Sequence, residues 1–185
     1  ERYMTNHVGE YKQGLVSEIH EELVDGTPMS VVNMLDGTKL YAEDAAFVQN
    51  VSTGDYISCR RNAYNYIIDD VDIVLDISEK AMNSNNPYGT FGSWDRMFFA
   101  RVCEKNGNIL KIVSHQSDLD NEDTILSAET VDISKADVYV YLSYNQTLHS
   151  DTNADILDYK NSGSSASELV VIYQDDVPLY VIVLE

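Results

Sequence analysis

The sequence is poor in positive charge, proline, glycine and long apolar runs, and each shortage excludes something. Twelve Lys plus Arg stand against 31 Asp plus Glu, a formal net charge of −19. A surface of that sign repels phosphate backbones and anionic lipid, so neither nucleic acid nor membrane insertion is expected. No run of about 18 apolar residues occurs, which removes a membrane-spanning helix. Three prolines and nine glycines gather between patterned segments. Two cysteines, Cys59 and Cys103, have no CxxC spacing and no neighbouring His. Each sits in an apolar strand-like run, which favours buried free thiols over a disulfide. The chain begins at Glu1 with neither Met nor a signal peptide, as a processed product or an excised fragment does.

What is present is apolar and aromatic. Hydrophobic residues make up 44% of the 185, with thirteen Tyr, enough to fold one large domain or two small ones. Segments rich in Val, Ile, Tyr and Phe, often alternating, predict strands over 14–20, 29–34, 55–60, 66–75, 97–103, 109–114, 136–144, 168–174 and 179–184. Turn signals separate them: Asp25-Gly26, Asp36-Gly37, Asn106-Gly107-Asn108 and Asp175-Asp176. Residues 4–13 fit a short helix or a lead-in strand equally, and short helical turns are expected near 42–47 and 153–159. Val138–Tyr144 is a candidate exposed edge for a partner strand.

The stretch AMNSNNPYGTFGSW, Ala81–Trp94, is built from loop formers. It divides a first β unit with its lead-in, 1–79, from a second, 97–185, through a linker at 80–96. The two sides look alike. GLVSEIHEELVDGTPMSVVNM and FFARVCEKNGNILKIVS each give strand, turn, strand. Each is followed by a polar turn, a short apolar piece and a closing hairpin, and VDIVLD and YVIVLE end both sides in a Leu-acid pair. The reading is all-β: two small β-barrel or sandwich-like units from a degenerate internal duplication, the second carrying a long insertion at 138–164.

The stretch VSTGDYISCRRNAYNYIIDDVDIVLD, Val51–Asp76, resembles the pattern LxxGDxIxxxxNxxGxIxxIxxVxD. That pattern occurs in extracellular proteins of Gram-positive anaerobes that carry S-layer homology domains. ARVCEKNGNILKIVS, VYVYLSY and ASELVVIYQDDVPLYVIVLE are similar to later elements of the same family. Tyr66 and Val177-Pro178 stand where the family places turn glycines. The resemblance implies a secreted or cell-surface accessory β-module, non-catalytic, with a cell-wall polymer or another envelope protein as partner.

Candidate sites are few. DLDNEDTILSAE places Asp118, Asp120, Glu122 and Glu129 at positions 1, 3, 5 and 12 of a calcium loop. Position 6 is Asp123, however, where the loop needs a glycine. A solvated acidic loop is therefore the expectation, with calcium only as a weak alternative and no other cofactor. NPYGTFGSWD offers Tyr88, Phe91 and Trp94, either as a core plug or as a platform for sugar rings. His7, His20, His115 and His149 are scattered, and no GxSxG elbow exists, so no catalytic residue is assigned. Arg60 and Arg61 are expected to pair with the abundant carboxylates.

Overall fold

The computed structural model describes residues 9–82, 96–114, 119 and 128–185. The chain divides into two compact units, Glu1–Asn85 and Asn86–Glu185. Both are β, each with its own sheet.

The first unit contains β1 (Glu10–Val24), β2 (Thr27–Met34), β3 (Lys39–Ala42), β4 (Tyr56–Arg61), β5 (Asp72–Asp76) and β6 (Ala81–Met82). They lie in the order β3-β2-β1-β4-β5-β6, and every neighbouring pair is antiparallel. The β1–β2 hairpin turns at Asp25-Gly26, where both residues have positive φ (51° and 80°). That is the backbone a tight two-residue turn needs to match strand twist, and Gly adopts it without steric cost. A 3₁₀ turn, Ala45–Val48, is capped by the Asp44 carboxylate, which accepts from the Ala46 amide at 3.0 Å. The core gathers Val16, Val32, Leu40, Ile57, Cys59 and Ile67.

The second unit contains β7 (Arg96–Asn106), β8 (Ile109–Val113), β9 (Glu129–Asp132), β10 (Asp137–Leu142), β11 (Thr147–Ser150), β12 (Glu168–Gln174) and β13 (Val177–Leu184). Their order is β11-β10-β13-β12-β7-β8-β9. All pairs are antiparallel except β10 with β13, where Val138 lies beside Val181 in a parallel ladder. β12 is buried at five successive positions, Leu169 to Tyr173, as a strand covered on both faces must be.

The duplication shows in topology and register. Strands β3-β2-β1-β4-β5 and β9-β8-β7-β12-β13 have the same order and the same antiparallel senses. β1 pairs with β4 up to Leu15, bulges at Ser17, and continues along β2. β7 pairs with β12 up to Arg101, bulges at Cys103, and continues along β8. In both units the bulge falls two residues past the last pairing with the fourth strand. A strand that changes partners must bend, and an extra residue supplies that bend.

Several expectations need correction. Neither sheet closes into a barrel by continuous ladders. Among the described residues of the first unit, isolated bridges alone, Tyr41–Tyr66 and Arg61–Ile67, span from β3 to β4. The single strand predicted over 66–75 is instead a turn region followed by β5. The Asn62 side chain accepts from the amides of Tyr64 (2.9 Å) and Tyr66 (3.1 Å), and Asn65 takes φ +66°, so the chain doubles back. In β5, Val74 and Leu75 are both buried because the ladder slips between Tyr56 and Ile57, which breaks the expected alternation. Val138–Tyr144 is not an edge: β10 lies between β11 and β13. Residues 9–13 lead in as strand, not helix. Helical turns do occur at Ala45–Val48, Asn153–Asp155 and Tyr159–Ser162. Cys59 and Cys103 are both buried, and no disulfide joins them.

Candidate functional site

The buried polar groups are the first place to look for chemistry, because an unpaired one is costly. Four residues qualify: Asp55, Asn62, Asp158 and Ser167. Each is held by the main chain. Asp55, 1% exposed at the head of β4, accepts from the Ser52 amide (2.9 Å) and the Ile77 amide (3.1 Å). Burial pushes its carboxyl up to about 6, the two amides only partly offsetting that cost, and Asp76 adds like charge. Ser167 holds the corresponding place at the head of β12, where its hydroxyl accepts from the Leu157 amide at 2.9 Å. In both units the residue at this place also offers its carbonyl to the long strand, to Val16 at 2.9 Å and to Val102 at 3.3 Å.

Asp158 caps the helical turn Tyr159–Ser162 and ties it to β7. It accepts from the Lys105 amide (2.8 Å) and from Asn161 through both amide and side chain. Burial works against its charge, yet these donors outweigh it and hold the carboxyl below the usual range. The Lys105 ammonium donates to the carbonyls of Asn153 and Ile156. None of these groups lines either of the two depressions described below. They fasten loops.

Among the described residues, imidazole occurs in surface pairing at His20 and His149. His20 Nε2 lies 2.8 Å from Glu22 Oε2, and Lys39 Nζ lies 3.6 Å from the same carboxylate. The hydrogen bond from His20, chiefly, keeps Glu22 below the usual carboxylate range, with burial opposing it. Ser17 Oγ is spent on the Asn33 carbonyl at 3.0 Å, so it is not presented to His20. His149 meets Thr147 Oγ1 at 2.9 Å on an exposed strand.

Among the described residues no group of three or more His, Cys, Asp or Glu is placed to hold a metal. Of the calcium candidates, Glu129 is exposed at the start of β9, paired with Ile112; Asp118, Asp120 and Glu122 lie outside the described residues. Tyr88, Phe91 and Trp94 lie outside them too. Burial pushes the Cys59 thiol up to about 11, so it stays protonated and inert. Arg60 pairs with Asp69 at 2.8 Å and Arg61 Nη2 lies 4.0 Å from Glu10 Oε2, the ion-pairing role expected for a basic pair in an acidic chain; Arg61 also donates to Asn65 Oδ1 at 3.0 Å.

Among the described residues, two depressions lie on the first unit. A groove of about 440 Å³ is lined by Tyr11, Ser58, Arg60, Asp69, Asp70 and Asp72. Register explains the grouping. Tyr11 stands opposite Arg60, and Ser58 stands opposite Asp72, so their side chains share the face away from Cys59 and the core. A second depression, about 220 Å³, is lined by Phe47, Gln49, Asn50 and Val71, and Asp70 is a wall of both. The sequence pattern missed this track. Tyr11 sits where helix and strand fitted equally, so its face could not be assigned, and Asp69 and Asp70 fell within the single strand predicted over 66–75.

No protein-family model matches this sequence, and no curated protein matches it. Among solved structures, the crystal structure of a tetrameric HIN2 domain is similar at 9% identity. The likeness covers 96% of this chain and 88% of that one, with a TM-score of 0.27. The exclusion of nucleic acid drawn from net charge is withdrawn as a conclusion about the whole surface. Net charge averages over a whole surface, whereas recognition responds to local potential. A likeness at this TM-score carries no argument for binding or against it.

Proposed function

We propose that the chain is a non-catalytic interaction module of a bacterial envelope protein, secreted or displayed on a Gram-positive cell surface. The observation that supports this reading is how the buried polar groups are used. Asp55, Asn62, Asp158 and Ser167 all bond to main-chain amides of turns and strand heads. Catalytic groups are instead aimed into a cleft, with pKa values matched to proton transfer there. The resemblance of Val51–Asp76 and Ala100–Ser114 to modules of S-layer-homology proteins supports the same reading and names cell-wall polymer as partner. The test is sedimentation with purified Gram-positive sacculi that retain their polysaccharides. The chain is expected to pellet with them and to release no soluble reducing ends. A chain left in the supernatant, or release of soluble fragments, overturns the reading.

A further inference from the structure

The two depressions that share Asp70 have a chemistry that the proposed function leaves unspecified. Tyr11 is 73% exposed, an unusual placement for a large ring on a strand otherwise half-buried. Beside it, Arg60 and Asp69 are locked together at 2.8 Å, which sets donors and acceptors in fixed directions. Ser58 and Asp72 continue the polar floor across the next rung. Past Asp70, the half-buried Phe47 ring and the amides of Gln49 and Asn50 line the second lobe.

We infer that this track binds a linear, uncharged polysaccharide strand, with Tyr11 stacking on a sugar ring. The chemistry selects that class. Sugar rings present apolar C–H faces and a rim of hydroxyls, so they need an aromatic platform next to fixed donors and acceptors. Asp70 and Asp72 beside the single Arg60 oppose a phosphate-bearing polymer. A wholly apolar ligand would leave the Arg60–Asp69 pair desolvated with nothing gained. The groove, about 440 Å³, falls within the roughly 300–1,000 Å³ of small-molecule sites, and Asp70 also borders the smaller depression. The main chain beneath Tyr11, Ser58 and Arg60 is paired strand, so the platform is in place before the ligand arrives.

This inference rests on the interaction-module reading, and its test separates the two. Amide NMR spectra are recorded during titration with β-1,4-linked hexasaccharides of glucose, N-acetylglucosamine and mannose, and with hexalysine. At least one hexasaccharide is expected to shift the amides of Tyr11, Ser58, Arg60 and Asn50. Tyr11→Ala, at an exposed site that leaves the fold intact, should weaken that binding at least tenfold, and Gln49→Ala severalfold. Silence from all three sugars, equal binding by Tyr11→Ala, or hexalysine shifting these amides in their place overturns the site. If Tyr11→Ala still pellets with sacculi as the wild type does, the site falls and the module reading stands. If the wild type fails to pellet yet binds a hexasaccharide through Tyr11, the site stands and the module reading falls.

Discussion

Leu15 and Arg101 hold the same place in the two units, yet one is a core residue and the other half of an ion pair. Leu15 is buried opposite Tyr56. Arg101 lies opposite Glu168, with Nη2 2.5 Å from Oε2. Two residues further on, both strands bulge and change partners. The shared architecture is therefore fixed by where bulge and turns fall, not by which side chains meet on a given rung. Asp55 and Ser167 repeat the lesson. Each offers a carbonyl to the long strand and a side-chain oxygen to a loop amide, but only Asp55 carries a titratable group.

The largest expected contrast comes from truncating the rung itself. Leu15→Ala removes buried apolar volume and should cost the first unit about 3 kcal/mol. Arg101→Met keeps the aliphatic stem and loses a half-exposed ion pair, which should cost the second unit about 1 kcal/mol or less. Amide-exchange protection in β4 and in β12 reads the two effects separately. Equal losses would mean that the rung is not where the units diverge.

Acidity should move the units in opposite directions. The Asp55 carboxyl titrates near 6 when folded, above its ordinary 3.8, so the folded chain holds that proton more tightly than the unfolded one. The stabilisation is complete below about pH 3.8 and is lost as pH rises through about 6, by at most about 3 kcal/mol. Asp158 is depressed, so its contribution is present above pH 3.8 and disappears as pH falls through its lowered value. Between pH 7 and 4.5, protection in β4, corrected for intrinsic exchange, should rise relative to Asp55→Asn, while β12 shows no matching gain. Below pH 3.8 the Asp158 contribution should be lost from the second unit while Asp55 stays protonated in the first.

A smaller effect sharpens the comparison of turns. The β1–β2 hairpin uses Asp25-Gly26, whereas β12–β13 turns on Asp175-Asp176 with φ of 51° and 62°. A side chain in that region is strained, so Asp176→Gly should stabilise the second unit by about 0.5–1 kcal/mol. A denaturant midpoint that falls would show that the Asp176 carboxylate contributes more than its backbone costs.

The alternation of apolar residues made most strands legible, and the matching order of β1–β5 with β7, β8, β9, β12 and β13 was readable as a repeat. Short strands such as β9 and β11 were not, because four residues barely establish a period. The break before β5 was hidden because it depends on Asn62 bonding two amides within its own turn, while its neighbours Ile67 and Ile68 still read as strand. The parallel β10–β13 ladder could not be read at all, since no local signal specifies a partner so distant in sequence. The Tyr11 track was invisible for a related reason: it assembles residues from β1, β4 and the loop before β5, and none of them is unusual alone.

That parallel ladder has a consequence for how the molecule acquires its shape. In the first unit each strand finds a partner already made or next in line, and the sheet is complete by Met82. In the second unit, residues 137–141 must wait for residues 180–184, because β13 is both the last strand and an interior one. Until it docks, β10 and β11 are a lone hairpin and β12 presents an open edge. Such non-local pairing slows folding and exposes sticky strand edges meanwhile. Refolding should therefore show the first unit gaining protection early and the second late, with the transient edges of β10 and β12 as the points where one copy of the chain can capture another.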